Sequence, residues 1–165
     1  MGPAALRRAR TCARLGAASY NNIKKQGGDM QTAILYPLLA LVALTFLVAF
    51  WMGALRIGAM RRREVKPAYF KLNTGEIPER PAQAANNFRN LFELPVLFYA
   101  LVALLLATER ADGVQVALAW VFVASRYAHS LIHLSYNHVP HRFLAFLIGL
   151  LVLLAMWVRF ALQLG

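Results

Sequence analysis

The sequence has almost no cysteine, the residue that stabilises folds through disulfides and thiolate metal clusters. Its 165 residues include one cysteine, Cys12, so an internal disulfide and a cysteine metal cluster are excluded. Any thiol chemistry must therefore use a thiol supplied from outside. The first apolar run is too long for a signal peptide, and no cleavage motif of small residues follows it, so we expect this segment to be retained.

Charged residues are also scarce, and acidic residues are the scarcest. Only 15% of the residues are charged, and 7 acids stand against 18 lysines and arginines, which gives a net charge of +11. The basic residues flank apolar segments and do not alternate with exposed aromatic residues, as they would on a surface that stacks nucleic-acid bases. We therefore predict no nucleic-acid partner and interpret the basic residues as markers of membrane topology.

Apolar residues make up most of the chain: 59% of the residues are hydrophobic, and the mean hydropathy is +0.50. No charged residue occurs in the 26 positions from 30 to 55, a length that crosses a hydrocarbon core of about 30 Å. Three later apolar stretches, extended by their polar flanks, predict helices over 82–108, 113–136 and 141–164. The sequence thus predicts an all-α integral membrane four-helix bundle over residues 30–165.

The loops of this bundle differ in charge. The turn between the second and third helices has one arginine beside two acids, whereas the loop between the first and second helices has six basic residues: Arg61, Arg62, Arg63, Lys66, Lys71 and Arg80. Lysine and arginine accumulate in cytoplasmic loops, so we expect the first loop to be cytoplasmic and both ends of the bundle to be external. If the gene is bacterial, the membrane is the inner one.

Residues 1–29 conflict with this orientation because they carry six basic residues and one acid. One interpretation is a basic amphipathic arm on a membrane surface. The other is that the natural protein begins at Met30, with the codons of Gly27 and Gly28 serving as a ribosome-binding sequence. We favour the second interpretation, which N-terminal sequencing from the native host would test, and treat residues 1–29 as an extension of the bundle.

Polar residues enter the second predicted helix where an apolar segment begins. Asn86, Asn90 and Glu93 are four and three residues apart, so a continuous helix places them on one face. A carboxylate near bilayer depth costs several kcal/mol unless it is paired, so we expect Glu93 to face a cation inside the bundle. Pro95 either kinks this helix or is an ordinary proline of a membrane helix.

The third predicted helix supplies the expected partner. Arg126, Ser130 and His133 are again four and three residues apart, and we expect Arg126 to pair with Glu93. Arg142, at the start of the fourth helix, taken alone is typical of an interfacial anchor. Together these residues predict a polar cluster at the cytoplasmic end of three helices, suited to a small charged ligand held beside an apolar one.

Four histidines within thirteen residues raise the question of a metal site: His129, His133, His138 and His141. Histidine pairs three or four residues apart on a helix can ligate zinc, and a haem also has enough ligands here. Membrane di-iron oxygenases, however, use about twice as many histidines as this chain has. Because interfacial histidines are commonly solvated or hydrogen-bonded, we predict no metal ligands.

The two polar helices resemble those of the MAPEG family, the membrane-associated proteins of eicosanoid and glutathione metabolism. The family pattern R-A-x-x-N-x-x-E followed by proline is matched at Asn90, Glu93 and Pro95, whereas Asn86 replaces the arginine. The prostaglandin E synthase branch has R-x-A-H-T-x-x-Y-L in the third helix. Here that pattern is matched at four positions and substituted at two: Arg126, Ala128, His129 and Leu134 match, Ser130 replaces threonine and His133 replaces tyrosine. The resemblance covers residues 32–163.

The resemblance implies a homotrimer of four-helix subunits that binds glutathione between neighbouring subunits near the cytoplasmic side. By the same resemblance, Arg142 would stabilise the glutathione thiolate, and the other predicted site residues would hold the rest of the molecule: Asn86, Asn90, Glu93, Arg126, Ser130 and His133. The implied activity is a transferase or peroxidase acting on lipophilic electrophiles from the bilayer. The alternative is a non-enzymatic trimer that binds membrane lipid or serves as a scaffold, since the family also contains the lipoxygenase-activating protein, which binds lipid without catalysis.

Overall fold

A computed structural model describes residues 28–66, 69 and 77–165, and all the regular structure in these ranges is helical. Five helices follow one another along the chain: α1 Leu35–Arg61, α2 Glu79–Asn90, α3 Leu94–Ala107, α4 Gly113–Leu134 and α5 Val139–Leu164. Helical turns before α1 extend it into an apolar segment, Gly28–Arg61. The proposed N-terminal extension lies almost entirely outside the described residues.

Helix α1 is apolar around its whole circumference. Leu41, Leu44 and Val48 recur at helical spacing and are buried against the other helices. The opposite side exposes large apolar residues such as Phe46 and Phe50. A helix that is apolar on every side belongs in a buried or lipid environment, so the exposed face of α1 is suited to contact lipid.

The second predicted helix is interrupted, which corrects the expectation of one continuous helix over 82–108. The chain begins α2 at Glu79, leaves the helix at residues 91–93 and begins α3 at Leu94. Pro95 explains the break, because it has no N–H for the carbonyl of Leu91 and its ring would collide with that carbonyl. The backbone hydrogen bonds that follow α2 therefore span three residues instead of four, as in the bond from Glu93 N–H to the carbonyl of Asn90.

Three helical segments are long and apolar enough to cross a membrane: Gly28–Arg61, Glu79–Ala107 and Val139–Leu164. The segment Glu79–Ala107 contains both α2 and α3 with the break between them. Helix α4 is less apolar than these three segments, because polar and charged side chains occupy its buried face. The count of four membrane-crossing helices therefore stays a prediction.

Helices α4 and α5 form the most extensive contact between helices, and α1 packs against α2 and α4. The core contains Phe98 of α3 stacked on Phe122 of α4, with ring centroids 4.8 Å apart. Tyr127 of α4 donates its hydroxyl to the carbonyl of Ala40 in α1, at 2.8 Å. These contacts fix the rotation of α4, so that its polar face points toward α2 and α5.

The carboxylate of Asp112 links the turn before α4 to the end of α5. Asp112 caps α4 by accepting from the backbone N–H of Gln115 at 2.8 Å. Its other oxygen accepts from Arg159 at 2.5 Å and from Gln163 at 2.9 Å, both near the end of α5. Burial by itself raises the pKa of Asp112, but these hydrogen bonds outweigh burial and hold the pKa below its ordinary value.

Candidate functional site

The polar residues of α4 lie on its buried face. Four side chains at spacings of three, one and three residues point into the bundle and are all buried: Arg126, His129, Ser130 and His133. They meet the end of α2 on one side and the first two turns of α5 on the other. The structure therefore brings the polar stretches of three helices together at one end of the bundle.

Arg126 is 1% exposed, and its guanidinium bonds to backbone carbonyls. Nη2 donates to the carbonyls of Ala145 at 2.9 Å and Phe146 at 3.3 Å, and the guanidinium carbon lies 5.3 Å from the centre of the Phe146 ring. Carbonyl dipoles and an aromatic face stabilise a cation, but neither neutralises its charge. The site thus contains a buried positive charge that is solvated by α5.

The expected ion pair between Arg126 and Glu93 is wrong. Glu93 is exposed in the break between α2 and α3, and neither salt bridge found among the described residues involves it. The break explains the error, because Glu93 would share a face with Asn90 only in a continuous helix.

Gly149 makes room for Arg126. A Cβ atom at this position would lie 2.6 Å from Arg126 Nη2 and 2.6 Å from Ser125 Oγ, closer than side chains can approach. The absence of a side chain lets α5 and α4 pack closely enough for the guanidinium to reach the carbonyls of α5. This glycine was not among the predicted site residues, and no nearby sequence pattern marks it.

His129 links α2 to α5 through both ring nitrogens. Nδ1 lies 3.1 Å from the carbonyl oxygen of Arg142, and Nε2 lies 3.3 Å from the side-chain amide nitrogen of Asn90. A carbonyl can only accept, so Nδ1 carries the proton, and Nε2 of the neutral ring accepts from Asn90. The histidine is thus assigned to one tautomer and holds the predicted residue Asn90 in place.

Asn87 is a buried residue that sequence reasoning missed. Its Oδ1 accepts from the hydroxyl of Ser130 at 3.1 Å, while its Nδ2 is buried without a hydrogen-bond partner among the described residues. The missed signal was periodicity, because Asn87 lies three residues after Ala84 and four before Leu91, which are both buried. The neighbouring Asn86, which we predicted to bind the ligand, is exposed.

Arg142 is half-buried and is held by residues at the end of α4. Its Nη1 donates to Oδ1 of Asn137 at 2.7 Å and to Nε2 of His133 at 3.4 Å. Asn137 has a φ of 49°, in the left-handed region that asparagine tolerates better than most residues. This conformation turns the chain from α4 into α5 and brings Arg142 back beside His133.

Asn86 lies elsewhere, in a cleft of about 450 Å³ between α1 and α2 that Arg89 and Phe92 also line. The structure therefore brings together five of the predicted site residues: Asn90, Arg126, Ser130, His133 and Arg142. It leaves Asn86 and Glu93 outside that cluster, toward the outer surface of the chain. Within the ranges described, no group of three or more His, Cys, Asp or Glu residues could hold a metal ion.

The sequence model of the MAPEG family matches residues 34–162. The chain belongs to the MAPEG family. The resemblance in the second and third predicted helices is thereby confirmed for the family as a whole. Searches of curated proteins and of solved structures found no match. Family membership and the three apolar helices together make the chain an integral membrane protein, and MAPEG proteins are in general associated with glutathione.

The chemistry of this polar cluster is that of an anion receptor. It presents the guanidiniums of Arg126 and Arg142 together with amide, hydroxyl and imidazole groups. Neither guanidinium forms a salt bridge with a described carboxylate. A low-dielectric surrounding strengthens the attraction of such cations for a negative ligand. The site is therefore suited to bind and stabilise a small anion.

Proposed function

We propose that this MAPEG protein is a glutathione-dependent membrane transferase or peroxidase that acts on lipophilic electrophiles from the bilayer. The observation that carries the proposal is the pair of guanidiniums, Arg126 and Arg142, which lie where α4 meets the first turns of α5 and have no ionic partner among the described residues. A buried charge without a partner is costly, and an anionic ligand would offset that cost. Glutathione has a net charge of about −1 and gains a second negative charge when its thiol ionises.

Arg142 is the residue assigned to the sulfur. Its hydrogen bonds to described residues both use Nη1, so the donors on Nη2 and Nε stay available for a ligand. A guanidinium held within a few Å of a thiol favours the ionised form, and each unit by which the thiol pKa falls corresponds to about 1.4 kcal/mol. When bound, glutathione would supply the nucleophilic thiol, and Arg142 would hold it as the thiolate.

The other polar groups are assigned to the rest of the tripeptide. The buried amide nitrogen of Asn87 has no hydrogen-bond partner in the described part of the chain, so it is a donor available for a carboxylate or carbonyl oxygen. Asn90 is oriented by His129, which restrains its amide before any ligand arrives. The exposed carboxylate of Glu93 is assigned to the positively charged amino group of glutathione.

The outward positions of Asn86 and Glu93 favour a site shared between subunits. Asn86 lies in α2 and Glu93 lies just after it. Both side chains are exposed, away from the cluster of Arg126 and Ser130. A neighbouring subunit that packs on α2 would enclose them, consistent with the homotrimer implied by the family. The basic residues at the end of α1 and after it, including Arg61 and Arg63, are exposed at the same end of the bundle. Their position favours a site on the cytoplasmic side of the membrane.

The test uses the purified full-length protein in detergent. Calorimetry with glutathione should show binding, and conjugation to a generic aryl halide should show turnover. Arg142→Gln should lose most of the turnover while keeping its trimeric state by size-exclusion chromatography. Arg61→Gln changes an exposed arginine at the same end and should behave as the wild type. If the wild type shows no binding and no conjugation, the enzyme proposal is refuted. The non-enzymatic lipid-binding or scaffold role then remains.

A further inference from the structure

Two adjoining cavities have walls formed by α1 and the end of α4, and the second is also lined by α2. The first is an apolar groove of about 310 Å³, and its walls include Leu44, Val48 and Trp51 of α1 and Tyr127, Leu131 and Leu134 of α4. The second is a polar pocket of about 280 Å³ that contains Arg80, Gln83 and Ser135. Trp51 and Leu134 line both cavities, so the two lie next to each other.

The groove runs along the helices from the polar pocket toward the middle of the bundle. Along α1, the lining residues run from Leu55 in the pocket to Leu44 in the groove, which at 1.5 Å per residue is about 16 Å. Along α4 they run in the same direction, from Ser135 back to Tyr127. The pocket therefore lies at the end of α1 that carries the basic residues, and the groove extends inward from it.

The groove offers almost no hydrogen-bonding groups to an occupant. The two hydroxyls on its wall are already engaged, because Tyr127 donates to the carbonyl of Ala40 and Ser130 donates to Asn87. The remaining side chains are aliphatic or aromatic, and Leu131 is exposed. Such a lining suits a hydrocarbon chain and does not suit an ordered water, which needs at least two polar partners.

The pocket differs from the groove because three of its six lining residues are polar. The guanidinium of Arg80 is exposed and forms no hydrogen bond or salt bridge with a described residue, while the neighbouring acid Glu79 accepts from Gln83 at 2.8 Å. Arginine binds phosphate through a fork of parallel donors, and basic pockets between membrane helices recognise anionic lipid headgroups. The pocket is thus complementary to a phosphate at the surface of the leaflet.

We propose that these two cavities form one binding site for an anionic phospholipid of the leaflet on the side of the basic loop. The phosphate binds Arg80, and one acyl chain lies in the groove against Trp51 and Leu131. The second acyl chain stays in the bilayer, because the groove has room for one chain. This site is separate from the proposed glutathione site and stands whether or not the protein is an enzyme.

The test uses Trp51 as a reporter inside the site. Trp120→Phe and Trp157→Phe leave Trp51 as the sole tryptophan of the full-length protein, which is then placed in phosphatidylcholine nanodiscs. A small fraction of either phosphatidylglycerol or phosphatidylcholine with brominated acyl chains is added, and quenching of Trp51 fluorescence is measured. We expect the brominated phosphatidylglycerol to quench at least threefold more strongly at equal mole fraction.

Two variants in that background locate the effect. Arg80→Gln should reduce quenching by phosphatidylglycerol to the level of phosphatidylcholine, whereas Arg61→Gln, which changes an exposed arginine outside the pocket, should keep the difference. Circular dichroism checks that both variants fold. Equal quenching by the two lipids in the unsubstituted reporter, or an undiminished preference in folded Arg80→Gln, would overturn the proposal.

Discussion

Replacing Gly149 with alanine tests how the buried arginine is held. The added Cβ would lie 2.6 Å from Arg126 Nη2, whereas unstrained contacts need about 3.5 Å, so the guanidinium must move by about 1 Å. That movement breaks the hydrogen bonds of Arg126 to the carbonyls of Ala145 and Phe146. The guanidinium has no other described acceptor except Ser125, whose Oγ the new methyl group also crowds.

The expected magnitude follows from these contacts. Two hydrogen bonds from a charged donor are worth about 1.5–3 kcal/mol each, and alanine regains about 1 kcal/mol of helix propensity over glycine. The free energy of unfolding should therefore fall by about 2–5 kcal/mol in Gly149→Ala. For a chain of this length, each kcal/mol lowers Tm by about 2–4 °C, so we expect a decrease of roughly 5–15 °C in detergent.

Gly53 provides a matched control in another membrane helix. A Cβ atom at Gly53 would have no heavy atom within 4 Å, so Gly53→Ala gains helix propensity without a clash. Its Tm should equal or exceed that of the wild type. Equal Tm values for Gly149→Ala and Gly53→Ala would show that Arg126 does not depend on the close approach of α5, and would refute the reasoning.

Two further predictions concern the opposite end of the bundle and the histidine between α2 and α5. Because the pKa of Asp112 is lowered in the folded state, its contribution to stability is complete above its ordinary pKa of about 4 and is lost as the pH falls through the lowered value. The Tm of Asp112→Asn should therefore fall less than that of the wild type between about pH 6 and pH 3; an equal fall would count against this assignment. At His129, asparagine can still donate to the carbonyl of Arg142, whereas leucine cannot donate. Denaturant unfolding should show His129→Leu to be about 1–2 kcal/mol less stable than His129→Asn, and equal stabilities would contradict the assigned hydrogen bond.

The apolar composition and helical spacing were enough to predict the all-α membrane fold and the convergence of α4 with α5. Arg126, Ser130 and His133 lie on a single uninterrupted helix, so their shared face follows directly from the spacing. The pattern in the second and third predicted helices was sufficient to predict membership of the MAPEG family, which the match over residues 34–162 confirms. The trimer, the glutathione site and the role of Arg142 stay predictions.

The wrong prediction of a pair between Arg126 and Glu93 arises near Pro95. Spacing arguments assume a continuous helix, and the break at residues 91–93 separates Glu93 from the face that carries Asn90. Asn86 and Asn87 are adjacent, and it is Asn87 that continues the helical spacing of the buried residues Ala84 and Leu91. The bonds of Arg126 to backbone carbonyls could not be predicted, because backbone acceptors leave no mark in the sequence.

The central claim is that Arg142 stabilises a bound thiolate, and the ultraviolet thiolate absorbance of glutathione-saturated protein measures it directly. In the wild type, the pKa of the bound thiol should lie about one to three units below that of free glutathione. Arg142→Gln should raise it back toward the free value, with each unit worth about 1.4 kcal/mol. A bound thiol that titrates at the same pH in both proteins would contradict the account.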